Sequence, residues 1–232
     1  MNEKEQKLQT YHSLSNMHRF RLRLFAEGIL TGVFAGLVIC FFRFALVEAE
    51  ALRGALYNRL WVSDWSINAC WFAVLVALAF ILHKLNIFEP MAAGSGIPQV
   101  KGTILGLMKM RWLRVLYVKL AAGIMGIGAG LSLGREGPSI QLGAVAAQGI
   151  SRLLRRTRME ERYLLTSGAS AGLAAAFNAP LAGVIFALEE LHRNFSIMVL
   201  LPSMAAAFTA TIISRAIFGR ATIFDIPDLQ LL

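Results

Sequence analysis

Apolar and polar positions divide this chain into two unlike stretches. A polar start of mixed charge (Met1 to Asn16) is followed by Arg19, Arg21 and Arg23, and then by apolar sequence from Gly28 to Val47. A second long apolar run covers Ser66 to Leu85 and closes on His83 and Lys84. Each is close to the ~20 residues a helix needs to cross a bilayer core. The stretch between them, 48–65, carries Glu48, Glu50, Arg53, Arg59 and Asp64 and reads as a polar connection. From residue 89 the pattern changes: apolar segments at 97–108, 115–133, 138–150, 163–176, 180–191 and 196–218 are shorter, unequal and broken by Gly and Pro. Interrupted helices of this kind place helix ends inside a bilayer, where irregular backbone survives only against protein or a wet cavity. Within the first run Gly28, Gly32 and Gly36 recur every four residues, a stripe on which another helix can pack closely.

Composition changes the picture only by naming the solvent. Hydrophobic residues are 56%, charged residues 16% and mean hydropathy is +0.59, whereas about a quarter of a soluble chain is charged. The fold class expected is an all-α integral membrane protein. The net charge of +9 does not indicate a nucleic-acid partner, because Lys and Arg punctuate apolar spans instead of gathering on one face. They belong to cytoplasmic loops: Arg152-Leu153-Leu154-Arg155-Arg156-Thr157-Arg158 and the N-terminal lead-in are both expected on that side. The lead-in, 1–27, reads as partly amphipathic helix and not as a secretory signal peptide. Cys40 and Cys70 read as small buried residues, with no disulfide or metal framework and no cofactor implied.

Gly134-Arg135-Glu136-Gly137-Pro138 is the chemical centre of the sequence. Pro138 suits the first turn of a helix, and Gly134 and Gly137 let backbone approach a small ligand. A helix starting there aims free N–H groups and its positive dipole end forward, which makes an anion site. Glu136 can occupy that site as a tethered anion when ionised and leave it when protonated. Gly94-Ser95-Gly96-Ile97-Pro98 repeats the logic, with Ser95 Oγ beside backbone N–H; by itself it reads as an ordinary Ser cap between Gly turns, and together with a second Gly/Pro helix start bearing a carboxylate it reads as an anion site. Phe177-Asn178-Ala179-Pro180 marks a further, architectural helix start. Leu188-Glu189-Glu190-Leu191-His192 leaves two readings open, a solvated helix end or a proton acceptor on its own route. Lys119 is explained by snorkelling or pairing, Arg135 by structure or electrostatics, and His192 by a place at the surface.

These segments together resemble the CLC family of chloride channels and proton-coupled chloride antiporters. The likeness rests on GSGIP at 94–98, GREGP at 134–138 and FNAPLAGVIFALEE at 177–190, in order and in register, and covers roughly residues 25–225. It implies the first inverted-repeat half of a CLC-type transporter, with a membrane domain at 28–220 and a linker at 221–232 leading toward a second half. It implies chloride contacts among Ser95, Gly96, Ile97, Arg135 and Gly137, with Gly94, Pro98, Gly134, Pro138, Asn178 and Pro180 shaping the backbone. Glu136 would be the gating glutamate and Glu190 the inner proton-transfer acid, an acid that passive channels usually lack. A homodimer joined partly through about 180–218 is implied too. The departure is that a complete pore also needs a Gly-x-Phe-x-Pro helix start and a tyrosine from a second half; that motif does not occur, and Tyr11, Tyr57, Tyr117 and Tyr163 do not fall where the tyrosine belongs.

The functional expectation is chloride transport across the cell membrane, coupled to protons, by a multi-pass protein that is not an enzyme. The alternatives are a passive chloride channel and a truncated or split member with no transport of its own, acting as a fragment or an interaction partner. Self-assembly of two oppositely inserted copies is disfavoured by the one-sided basic loops.

Overall fold

The computed structural model describes residues 3–60, 65–193 and 195–219, with residues 3–16 and 60 described for their backbone alone. The expected linker at 221–232 lies outside the described residues. Among the described residues eight α-helices follow one another: α1 Glu3–Leu60, α2 Trp65–Phe88, α3 Ile97–Leu105, α4 Trp112–Gly128, α5 Glu136–Leu153, α6 Arg158–Phe177, α7 Pro180–Phe186 and α8 Ile197–Phe218. A 3-10 turn, Pro90–Ala92, precedes α3, and one π turn, Ala187–His192, follows α7. No strand occurs among the described residues. Among the described residues three helical stretches are long and apolar enough to cross a membrane: Met17–Arg59, Trp65–Phe88 and Ile197–Phe218.

The expected polar connection at 48–65 is corrected: helix α1 continues through it to Leu60, and residues 61–64 lie outside the described residues. Its 58 residues make about 87 Å of helix at 1.5 Å per residue, far more than the ~30 Å hydrocarbon core. Nothing between Glu48 and Leu60 breaks a helix except the single Gly54, so polarity alone misread a helical extension as a loop. The segment expected at 97–108 stops at Leu105, because Gly106 turns left-handed (φ 81°) and its N–H closes back on Gly102 and Thr103. The segment at 180–191 is α-helix only to Phe186 before it widens into the π turn.

Small residues set the helix spacing. A Cβ on Gly28 would come within 2.8 Å of the Pro202 Cα, one on Gly32 within 2.8 Å of the Ala206 Cα, and one on Gly36 within 3.0 Å of the Ala210 Cα. Both numberings rise together, so α1 and α8 run parallel with backbones nearly touching. Helices α5 and α6 meet antiparallel in the same way, Gly143 against Gly168 and Gly172. Helix α6, flanked by α1, α5, α7 and α8, is the centre of the bundle, and Leu164, Leu165, Ala169, Ala171 and Ala174 are fully enclosed there. Helix α2 is the opposite case. It has no buried residue, so Cys70, expected to be buried, is exposed, while Cys40 is enclosed.

The N-terminal part of α1 and the basic loop lie at one pole. Arg23 pairs with Glu160, and Arg156 with Glu27 (2.5 Å), although Glu27 and Glu160 are only 5% and 6% exposed. Helix α6 begins there with a capping box, in which the Thr157 hydroxyl accepts from the Glu160 N–H and the Thr157 N–H donates to the Glu160 carboxylate (2.9 Å).

Candidate anion site

Two Gly/Pro helix starts, separated by about forty residues of sequence, abut in space. A Cβ on Gly137 would lie 2.5 Å from the Ser95 carbonyl oxygen and 2.9 Å from Ser95 Cβ, so the first turn of α5 rests directly on the loop that opens α3. Only a residue without a side chain permits that approach. Gly94 and Gly96 are both left-handed (φ 65° and 87°), which bends the loop so that α3 begins immediately after it. Ile97 N–H reaches Ser95 Oγ at 3.4 Å, a long contact that leaves the hydroxyl open to another partner. Pro98 occupies the first turn of α3, and Pro138 that of α5, where no N–H is required.

Between the two starts lies a cavity of about 690 Å³. Gly94, Ser95, Ile97, Gly134, Glu136, Gly137 and Pro138 all line it, so most of the residues singled out by pattern share one space. Glu136 is the first residue of α5 and has an exposed side chain. Its carboxylate folds back over Gly134, where any side chain at that position would collide with it. An acid in the first turn is favoured by the positive helix end, and no side chain among the described residues caps that end. The carboxylate therefore sits where an external anion would also be attracted.

Lys119 is the residue whose role pattern alone did not reveal. It is 4% exposed, which rules out snorkelling, and it meets no carboxylate among the described residues. Its ammonium donates to the Ala92 carbonyl at 3.0 Å and the Gly94 carbonyl at 2.7 Å. It ties α4 to the loop carrying Ser95 and, among the described residues, is the only cationic side chain lining the cavity. A lysine set among Gly123, Gly126 and Gly128 was the available signal. Gln141 is a second such residue: its amide donates to the Met91 carbonyl (2.7 Å), and its Cδ lies 2.5 Å from where a Cβ on Gly96 would be.

Other expected site residues lie elsewhere. Gly96 does not line the cavity but backs onto Gln141, and Arg135 is the N-cap of α5, its carbonyl accepting from Ser139 N–H (3.1 Å) and Oγ (2.7 Å). Asn178 ends α6 in the left-handed conformation (φ 59°), and its side-chain oxygen accepts from Arg215 Nε at 2.6 Å. Pro180 opens α7 at its first position. Glu190 is apart from the cavity, in the π turn, with a side chain 46% exposed and an ion pair to Lys101 at 2.6 Å. That lysine's hydrogen bond and charge hold the Glu190 carboxyl below the usual carboxylate range. Helix α3 thus links the two places, with Ser95 ahead of its start and Lys101 one turn in. His192, expected at the surface, is instead partly enclosed, with Nδ1 3.2 Å from Thr166 Oγ1 and its ring tilted against Tyr163.

The voltage gated chloride channel family model matches residues 73–232. The H(+)/Cl(-) exchange transporter ClcA of Vibrio cholerae is 36% identical over 211 residues, which is 87% of this chain and 44% of the relative. The protein of that name from Citrobacter koseri is 38% identical over 217 residues, covering 90% of this chain and 45% of the relative. The crystal structure of a slow cyanobacterial Cl-/H+ antiporter superposes with a TM-score of 0.80 at 32% identity, over 89% of this chain and 49% of that one. A CLC-type fluoride/proton antiporter superposes at 0.67 and 28% identity, over 84% and 47%. The chain spans about half the length of the relatives it matches. Helix order, the paired helix starts and these matches agree, and the chain belongs to the voltage gated chloride channel (CLC) family.

Proposed function

We propose that this chain supplies the N-terminal half of a proton-coupled chloride antiporter in the cell membrane, with its N-terminus and basic loop in the cytoplasm. The observation that carries the reading is the meeting of two helix N-termini, Ser95 and Glu136 at one cavity beside a buried cation. Chloride would lie against Ser95 Oγ and the first amides of α3 and α5, near the Lys119 charge. The α3 helix adds about 14 Å between that point and the basic pole, roughly half of the ~30 Å core, so the ion would sit within the bilayer. Ionised Glu136 competes for the same ground. Protonation removes its charge and lets chloride replace it, so the anion and the proton are exchanged at one place. Glu190 would pass protons to and from the cytoplasm on a separate path.

The resemblance implies further partners: a second inverted half, on this chain's continuation or another chain, and a copy of the same subunit. Leu181, Ile185, Phe208, Ile212 and Ile217 are exposed apolar residues along 180–218 and support a dimer face there. The test is simultaneous chloride and proton flux in liposomes, with the chain alone and with a second half co-expressed. Coupled, opposite fluxes are expected once both halves are present, and chloride flux without protons would reject antiport.

One observation favours a second reading, the passive channel. Lys101 holds Glu190 in an ion pair, which opposes protonation of the acid on which proton entry depends. Lys101→Met separates the two readings. In an antiporter it should raise Glu190's proton affinity and move the acid limb of proton flux to higher pH, whereas in a channel proton flux stays absent.

A further inference from the structure

A second cavity, of about 330 Å³, opens at the basic pole between the ends of α3 and α5 and the start of α6. It shares no lining residue with the cavity at Ser95. Lys109, Arg152, Arg158 and Arg162 line it against one acid, Glu161. That acid is already engaged, by Arg152 at 3.7 Å and by the Gln148 amide at 2.8 Å. Lys109, Arg158 and Arg162 pair with no carboxylate among the described residues, leaving three positive charges around a space large enough for a small ligand.

Gln148 narrows the ligand's chemistry. The residue is 1% exposed and lines this cavity, and its Oε1 has no hydrogen-bond partner among the described residues. The orientation of the amide is set from the other side, because only Nε2 can donate to the Glu161 carboxylate. An orphaned buried carbonyl oxygen requires a donor. A bare halide would answer the cations and leave Oε1 unsatisfied. A phosphate ester bearing a hydroxyl answers both, since its oxygens accept from several Arg and Lys donors and its O–H donates to the amide.

We propose that this cavity binds a hydroxyl-bearing phosphate group, as presented by a glycerol-phosphate lipid headgroup or by a soluble phosphate ester, at a site separate from the halide path. Basic clefts at the ends of spanning helices are suited to such headgroups. The site joins the ends of α3 and α5 to the start of α6, so its occupancy bears directly on helix α3, which carries Ser95 ahead of its start and Lys101 within it.

The purified full chain is titrated in detergent, following its thermal unfolding midpoint, with sn-glycerol 3-phosphate in one arm and inorganic phosphate as the comparison. In the other arm it is placed in phosphatidylcholine nanodiscs with or without phosphatidylglycerol. Saturable stabilisation by glycerol phosphate exceeding that by inorganic phosphate assigns a soluble ligand; stabilisation by phosphatidylglycerol alone assigns the lipid. Lys109→Gln, on an exposed loop where folding is not at stake, should weaken binding about tenfold, the loss of one charge-assisted contact. Arg155→Gln, a neighbouring basic residue outside the cavity, should not. The proposal is overturned if neither arm stabilises the chain, if Lys109→Gln leaves binding unchanged, or if Arg155→Gln weakens it equally, which would mean general surface attraction.

Discussion

Glu136 and Lys119 make opposite demands on the same cavity, one bringing a negative charge to it and the other a positive one. If the carboxylate is a competitor for the anion, Glu136→Gln should remove the competition at every pH. The expected result is a chloride affinity at neutral pH equal to that of the native chain in acid, together with loss of coupled proton movement, measured by calorimetry and liposome flux. Lys119→Met tests the other sign. It leaves the Ala92 and Gly94 carbonyls without their donor, costing about 1–3 kcal/mol of stability, and weakens chloride binding as well. A variant that lowers the unfolding temperature without touching chloride affinity would reduce Lys119 to a structural tie. Buried lysines without a carboxylate are costly, so two carbonyl contacts and an adjoining candidate anion site form a consistent account of this one.

At the scale of elements, close backbone approach is the recurring device. It brings α1 onto α8, α5 onto α6, and the start of α5 onto the loop before α3, each time through glycine. A Gly32→Leu substitution drives a branched side chain into Ala206 and Thr209 and should cost at least the roughly 1–3 kcal/mol of ordinary overpacking. Gly54→Leu, where nothing lies within 4 Å of the added Cβ, is the matched control and should be near neutral. Comparing their thermal unfolding in detergent tests whether the stripe is a contact surface. The π turn at Ala187–His192 is a different device. By widening the helix it interrupts the regular spacing after α7 and carries Glu190 to Lys101 on α3, whereas a continued α-helix would present that acid at another angle.

For the molecule as a whole, the basic pole is also a pH-sensitive tie between distant parts of the chain. Burial pushes the Glu160 carboxyl up, but the Thr157 N–H and hydroxyl together with Arg23 and Arg156 outweigh it and hold the group below its ordinary value of 4.5. A depressed carboxylate contributes stability that is fully present above that ordinary value and is lost as pH falls through the lower, folded-state value. Glu160→Gln should therefore lower the unfolding temperature at pH 7, and the gap to the native chain should close in acid below 4.5. A gap that persists in acid would attribute the loss to packing instead. The same pole carries the second cavity, so helix α6 begins in a region where capping, ion pairing and unneutralised cations coincide.

Much of this was legible in the chain itself. The membrane class followed from the charge deficit and the apolar runs, and the paired helix starts followed from Gly and Pro bracketing a Ser or a Glu, because those residues restrict backbone locally. The glycine stripe on α1 was legible for the same reason, being a fixed spacing along one helix. What pattern could not supply was anything resting on two segments far apart. The polar stretch 48–60 stayed helical because no breaker stood in it, and polarity by itself does not end a helix. Lys119 acquired its role from carbonyls 25 and 27 residues away, and Glu190 its lysine from a helix 89 positions earlier. Local residue choice determined where helices can begin and how near they can come. Only the packed bundle decided which helix ends share a cavity and which charges find partners, because burial and pairing belong to positions in space and not to positions along the chain.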